Sequence, residues 1–215
     1  MKKILLVTLL LIFIIGCRER IVLENDVIFR EHRAYKINDE RLYTGIVTSF
    51  HENGKLKFEK IYINGKLNGV SKWYDIEGML NYERNYINGK LNGNSKQYSN
   101  GKLYIERNFL NDKLEGITKE YHENESIFIM ASYKNGRLEG VTYKYSENGD
   151  LLAKESYKNG ELEGESKIYH ETGTLSSDLF YKKGKKDGVA MYYDKDGNLE
   201  DIKIYTNGKF LKKGI

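Results

Sequence analysis

Glycine recurs along this chain at a fixed step. It stands at 45, 69, 93, 116, 140, 164 and 188, so the units are 24, 24, 23, 24, 24 and 24 residues long. A period of this length marks one supersecondary unit used repeatedly, in which neighbours must stack to bury what a single unit leaves exposed. Five residues after each glycine comes an aromatic: Phe50, Tyr74, Tyr98, Tyr121, Tyr145, Tyr169 and Tyr193. A second aromatic column holds Tyr62, Tyr86, Phe109, Tyr133, Tyr157, Tyr181 and Tyr205. Between them lies an aliphatic column of Leu56, Leu80, Leu103, Ile127, Leu151, Leu175 and Leu199.

Each unit reads as two strands. In the second unit, Gly69–Tyr74 leads to a turn at Asp75-Ile76-Glu77-Gly78, and a longer strand follows from about Leu80 to Ile87. Asn-Gly pairs such as Asn64-Gly65 and Asn159-Gly160 then reverse the chain, because both residue types tolerate positive φ. Helix is a poor alternative, since Gly or Asn-Gly recurs too often to leave room for more than about two helical turns between breakers. The predicted fold is therefore all-β: an elongated single-layer antiparallel β-meander of about seven 24-residue hairpin repeats over 45–215. Segment 17–44 is expected to be a linker with a leading strand near Arg33–Tyr43. Fourteen strands at about 4.8 Å spacing would span roughly 65 Å.

Strict alternation sets the expected faces. It groups Val70, Lys72 and Tyr74 with Leu80, Tyr82, Arg84 and Tyr86, and puts Ser71, Trp73, Asn81, Glu83 and Asn85 on a mainly polar face. The row Glu59, Glu83, Glu106 beside Lys60, Arg84, Arg107 then reads as a charge-balanced, solvated surface.

Composition narrows the class further. The chain has no Pro, which fits strands whose amides are needed for ladder bonds, although an AT-rich codon bias contributes. Collagen-like structure is excluded by the same count, and one Cys allows no internal disulfide. The 35 basic and 31 acidic residues leave a net charge of +4, without the concentrated positive charge of a nucleic-acid binder. Recurrent aromatic and aliphatic residues argue against disorder.

The N-terminus reads as an address. Met1-Lys2-Lys3 precedes twelve residues, Ile4 to Ile15, that are apolar except for Thr8. That run is too short for a spanning helix and suits a secretory signal. Its end, Ile14-Ile15-Gly16-Cys17, resembles a bacterial lipobox, in which the Cys thiol is acylated and becomes the new N-terminus. Residues 1–16 are then a lipoprotein signal peptide, Cys17 is the lipidation site, and the expected location is the cell envelope, lipid-anchored at a membrane. The alternatives are an ordinary cleaved signal or an uncleaved short anchor, with Cys17 incidental.

The repeat core resembles the MORN-variant repeat, with its Tyr-x-x-Asn-Gly-Lys-Leu-x-Gly pattern. It stands here at Tyr62–Gly69, Tyr86–Gly93, Tyr133–Gly140 and Tyr157–Gly164, with weaker copies at Phe109–Gly116 and Tyr181–Gly188. Proteins built this way are commonly grouped with YwqK-like antitoxins. The resemblance implies a β-meander and a protein partner, a toxin being one candidate. The apparent lipoprotein signal departs from a cytoplasmic antitoxin.

No constellation for chemistry emerges. His51, His122 and His170 fill one repeat slot but lie about 29 and 19 Å apart in such a sheet, so a turn role is expected and no metal or other cofactor is assigned. The expected function is a non-enzymatic, lipid-anchored repeat scaffold that binds a protein partner, with a YwqK-like antitoxin or immunity protein as the alternative. Trp73 and the irregular apolar stretch containing Ile127, Phe128 and Met130 are the partner-binding candidates.

Overall fold

The computed structural model describes residues 21–214, so the lipobox and Cys17 lie outside the described residues. Strands account for nearly all regular structure there, and the one helical element is the 3-10 turn Glu24–Asp26. Consecutive antiparallel pairings run from Gly45–Phe50 through the seven units. A final strand, Lys209–Lys213, pairs with Leu199–Thr206. The result is the open single-layer meander that the glycine period implies.

The first edge is finished differently from the expectation. Residues 33–43 do not lead into the meander. Arg33–Lys36 pairs with Val27–Arg30 in a separate two-stranded sheet, and Tyr35 bridges to Leu42. The strand that joins the meander is Ile21–Leu23, which runs parallel to Gly45–Phe50 through Ile21↔Ile46 and Val22↔Val47. The hairpin folds over the first unit. Val27, Ala34 and Tyr43 form a buried cluster with Val47, Phe58 and Tyr62, with Val22, Leu67 and Trp73 packed against it. A terminal unit lacks a neighbour, and this cap supplies both an edge partner and a second layer.

Turns are tied from unit to unit. Asn64 and Gly65 have φ of 48° and 74°, as the primed hairpin turn requires. The turn glycine donates its N–H to the preceding unit: Gly89 to Leu67 O at 2.7 Å, Gly136 to Leu114 O and Gly160 to Leu138 O at 2.8 Å. In five of the seven units the residue before the opening glycine adds another link. Glu115 and Glu139 accept from the backbone N–H of Asn135 and Asn159 at 2.8 Å, and Glu163 accepts from Lys183 at 2.6 Å. The opening glycine itself sits at a bulge. Gly69 has φ of 96°, while an added Cβ would meet only Ile61 at an ordinary 3.5 Å. Backbone conformation, rather than space, selects glycine there.

A second bulge recurs in every unit and overturns the expected faces. Register in the second unit runs Gly69↔Tyr86, Val70↔Asn85, Ser71↔Arg84, Lys72↔Glu83 and Trp73↔Tyr82, then shifts so that Tyr74 opposes Leu80. Directly opposed residues share a face. Ser71 and Trp73 therefore lie with Tyr82, Arg84 and Tyr86, while Val70 and Lys72 lie with Glu83 and Asn85. The extra residue, Asn81, moves Leu80 to the second group's face, opposite Tyr74. The two aromatic columns consequently occupy opposite faces, where simple alternation had put them on one. The carboxylate and basic rows are likewise on opposite faces and do not balance each other side by side.

Candidate binding surface

The face that carries Ser71 has three rows crossing the strands. The middle row alternates a small residue with a variable one: Val47↔Lys60, Ser71↔Arg84, Arg84↔Ser95, Ser95↔Arg107, then Thr118↔Ala131. Its small members are buried, with Ser71 at 0% and Ser95 at 9% exposure. One flanking row contains Phe58, Trp73, Tyr82, Gln97 and Ile105. The other contains Tyr86 with Leu91 and Phe109 with Leu114. Small residues between taller walls make a furrow along the sheet. Between the second and third units it deepens to a cleft of about 180 Å³ lined by Tyr82, Arg84, Leu91, Ser95, Gln97, Ile105, Arg107 and Phe109, with Lys96 at its margin.

Cations and aromatics alternate along this furrow. Lys60 Nζ lies 3.7 Å from the Phe58 ring centre and 5.7 Å from that of Trp73. Arg84 Cζ lies 5.4 Å from Trp73 and 4.9 Å from Tyr82. Each such contact contributes about 0.5–1 kcal/mol at an exposed site. Burial lowers the pKa of the Lys60 ammonium, and the nearby Glu24 carboxylate of the cap opposes that shift. Arg84 and Arg107 form no ion pair with any described residue. The hydroxyls of Ser71 and Ser95, and that of Thr142 further along, are buried without a hydrogen-bond partner.

On the opposite face, Glu83 and Glu106 are engaged. Lys72 Nζ sits 3.2 Å from Glu83 Oε1. Tyr98 donates its hydroxyl to Glu83 at 3.2 Å, and Tyr121 donates to Glu106 at 3.3 Å. Burial, followed by the Glu83 charge and this hydrogen bond, pushes the Tyr98 hydroxyl up to about 12. The carboxylates that could have neutralised Arg84 and Arg107 are thus engaged on the far side of the sheet.

The histidines are structural. His51, His122 and His170 each direct Nε2–H to a carbonyl of the next unit, Tyr74 O, Tyr145 O and Tyr193 O, all at 3.0 Å. In units without a histidine, a turn residue closes its own loop. Asp75 Oδ1 accepts from Met79 N–H at 2.7 Å, and Asp194 Oδ1 accepts from Asn198 N–H at 2.8 Å.

Trp73 lies in the furrow, opposed to Phe58 and Tyr82. The other three candidates do not join it or form one patch. Ile127 opposes Tyr121, and Met130 opposes Lys119 and Tyr143, on the face away from the furrow. Phe128 is the bulged residue of its unit, tilted against His122 at 4.8 Å with Lys144 Nζ 5.0 Å from its ring. Sequence reasoning missed Ser95, Gln97 and Arg107 as members of one site. The signal was present in the small-residue column Val47, Ser71, Ser95, Thr118, Thr142, Ser166, Ala190, two residues after each opening glycine.

The fold and this surface define a linear repeat protein of stacked hairpins with a side-chain furrow along one face. Segments 43–64, 67–88, 114–135, 138–159 and 162–183 match the MORN repeat variant, and together they cover just over half of the 215 residues. The chain belongs to the MORN repeat variant family. The matched segments skip 89–113, which holds the 23-residue unit's tight Asn100-Gly101 turn and one wall of the cleft. No curated protein matches the chain.

Proposed function

We propose that this protein is a non-enzymatic repeat scaffold, lipid-anchored through Cys17 at the cell envelope, that binds a protein partner along its furrowed face. The observation that carries the binding reading is the cleft at the second and third units. It combines two arginines without an ion pair among the described residues, apolar walls and the unpartnered buried hydroxyl of Ser95. Exposed aromatic and arginine side chains grouped in a concavity are typical of protein-binding surfaces. The anchor rests on the sequence: a charged start, a short apolar run and the chain's single Cys at the lipobox position. Acylation there would hold the sheet close to a membrane.

Cross-linking on intact cells, followed by identification of adducts, tests the binding reading. A specific protein adduct is expected, and its absence would refute partner binding. Labelled palmitate tests the anchor: wild type should incorporate label and Cys17→Ala should not. The resemblance to YwqK-like proteins supports a second reading, in which the partner is a toxin. Growth rescue on co-expression with a neighbouring toxin gene would favour it.

A further inference from the structure

We infer that the Asn-Gly turn edge of the ribbon rests on an anionic lipid surface, so that the sheet stands edge-on and both of its faces stay open to solvent. This rests on the lipid-anchor reading above and specifies how the anchored sheet meets its membrane.

The charges of the ribbon are sorted by edge. The seven Asn-Gly-type turns, 63–68, 87–92, 110–115, 134–139, 158–163, 182–187 and 206–211, hold eleven basic and six acidic residues, a net of +5. The seven turns at the far edge, 51–55, 75–79, 99–102, 122–126, 146–150, 170–174 and 194–198, hold three basic and ten acidic residues, a net of −7. The cap, 24–44, is close to neutral, with four basic and five acidic residues. Two of the far edge's three cations are occupied, Lys55 Nζ donating to Glu77 O and Lys102 Nζ to Glu123 O. The basic residues of the Asn-Gly edge form no ion pair with any described residue. Four of its six acids, Glu115, Glu139, Glu163 and Asp187, accept backbone N–H groups of the next turn. The edges are well separated. A strand such as Leu80–Ile87 has eight residues and spans about 26 Å, against a screening length of about 10 Å at 0.1 M salt. A surface that meets one edge therefore does not feel the other, and the small net charge of the whole chain hides two edges of opposite sign.

Cations recur along the basic edge almost once per unit. Lys66, Lys90, Lys113, Arg137, Lys185 and Lys209 fill one slot, and Glu161 is the exception. The slot opposite carries Ile63, Ile87 and Leu110 in the first three units, 37%, 49% and 50% exposed, each paired with its lysine. Lys134, Lys158 and Lys182 take that slot in the next three. Within its turns, the far edge exposes large apolar side chains in one unit only, at Ile76 and Met79. Apolar side chains beside lysines suit a headgroup boundary, where the stems are buried and the ammonium groups stay level with the phosphates. The anchor arrives at this same edge. Ile21–Leu23 runs parallel to Gly45–Phe50, and Ile21 is level with Ile46 and Ile61, two residues from Ile63. Cys17 precedes Ile21 by four residues, a reach of at most about 14 Å. An acyl chain combined with a polybasic patch holds a protein on a bilayer more firmly than either alone. The isoleucines nearest the anchor and the lysines of the later units thus form one line of contact along the ribbon.

The test uses the mature chain from residue 17 with Cys17→Ser, which keeps every described residue and carries no acyl chain. Sedimentation with sucrose-loaded vesicles reads binding, using phosphatidylcholine alone or with about one-third phosphatidylglycerol, at about 0.1 M salt. The chain should bind the anionic vesicles, ignore the neutral ones, and release at about 0.5 M salt. Lys182→Gln, Lys183→Gln and Lys185→Gln together, folded by circular dichroism, should weaken binding at least about tenfold. Lys55→Gln, Lys102→Gln and Lys195→Gln remove the same charge from the far edge and should leave binding unchanged. A polarity-sensitive probe on Lys90→Cys should report a drier environment on the anionic vesicles, and one on Glu77→Cys should not. Equal weakening by the two triple variants would overturn the inference. So would equal binding to neutral vesicles, or an equal response from the two probes. Self-association at low salt in place of vesicle binding would also overturn it, by showing that the basic edge meets the acidic edge of a second copy. Palmitate incorporation without vesicle binding leaves the anchor reading standing and refutes this inference. Vesicle binding without palmitate incorporation supports the edge contact and refutes the anchor alone.

Discussion

Gly65 and Gly184 occupy the same slot of the same turn, and comparing them isolates the contribution of the N-terminal cap. Their φ values are 74° and 73°, preceded by Asn64 at 48° and Lys183 at 49°. Alanine at either position pays the same left-handed penalty, about 1–2 kcal/mol. The surroundings differ. A Cβ on Gly184 meets nothing within 4 Å, whereas on Gly65 it lies 2.9 Å from Leu42 Cδ2, 3.0 Å from Ala34 O and 3.1 Å from Arg33 Cβ. Ala34 is not free to withdraw. Its N–H donates to Gly65 O at 2.8 Å, and its carbonyl accepts from Tyr43 N–H at 2.9 Å. Overpacking of this kind costs about 1–3 kcal/mol beyond the backbone penalty. Gly184→Ala should therefore cost about 1–2 kcal/mol and Gly65→Ala about 2–5 kcal/mol. Urea midpoints at unchanged slope measure both, and amide exchange at Ala34 and Tyr43 should accelerate in Gly65→Ala only. Equal costs, with those amides undisturbed, would show that the cap does not sit on the first turn in solution.

Two further outcomes follow from buried polar groups. Ser71→Ala removes a fully buried hydroxyl that has no partner. It should raise the unfolding free energy measured in urea by up to about 1 kcal/mol, and a loss of stability would show that the hydroxyl is paired. Alkali should weaken the fold between pH 10 and 12. Tyr62, Tyr98 and Tyr157 each have the hydroxyl pushed from 10.0 up to about 12, by burial first. A raised folded value means that their contribution is complete below the unfolded pKa and is lost as pH climbs through the folded one. Tyr98→Phe should flatten part of that fall, and an unchanged profile would sink the assignment for Tyr98.

The hairpin period, the turn chemistry and the all-β class were legible because each depends on local backbone demands. Asn64-Gly65 must adopt positive φ, and the sequence spells that demand directly. The faces were not legible, because a single bulged residue per unit inverts alternation. Nothing in Asn81 itself announces the bulge; it emerges only when Trp73 opposes Tyr82 and Tyr74 opposes Leu80. The cap was half legible. Residues near Arg33 were expected to form a strand, but the parallel seat of Ile21–Leu23 is a tertiary pairing with no local signature.

That inversion decides which residues surround Arg84. Glu83 and Arg84 are sequence neighbours and face opposite sides with or without the bulge; what the bulge changes is that Ser71 and Trp73, rather than Val70 and Lys72, share the side of Arg84. With the bulge, Glu83 is held by Lys72 and Tyr98 on one side of the sheet, while Arg84 stands among Trp73, Tyr82 and Ser95 on the other. The backbone repeat fixes where the variable slot falls, and the residue placed in it decides what each unit presents. Lys60, Arg84 and Arg107 give three consecutive units the same sign, whereas Glu155 in a later unit is occupied by the Tyr157 hydroxyl at 3.0 Å. Chemical variation in such a chain is therefore laid out along the sheet, across the strands, at one residue per unit.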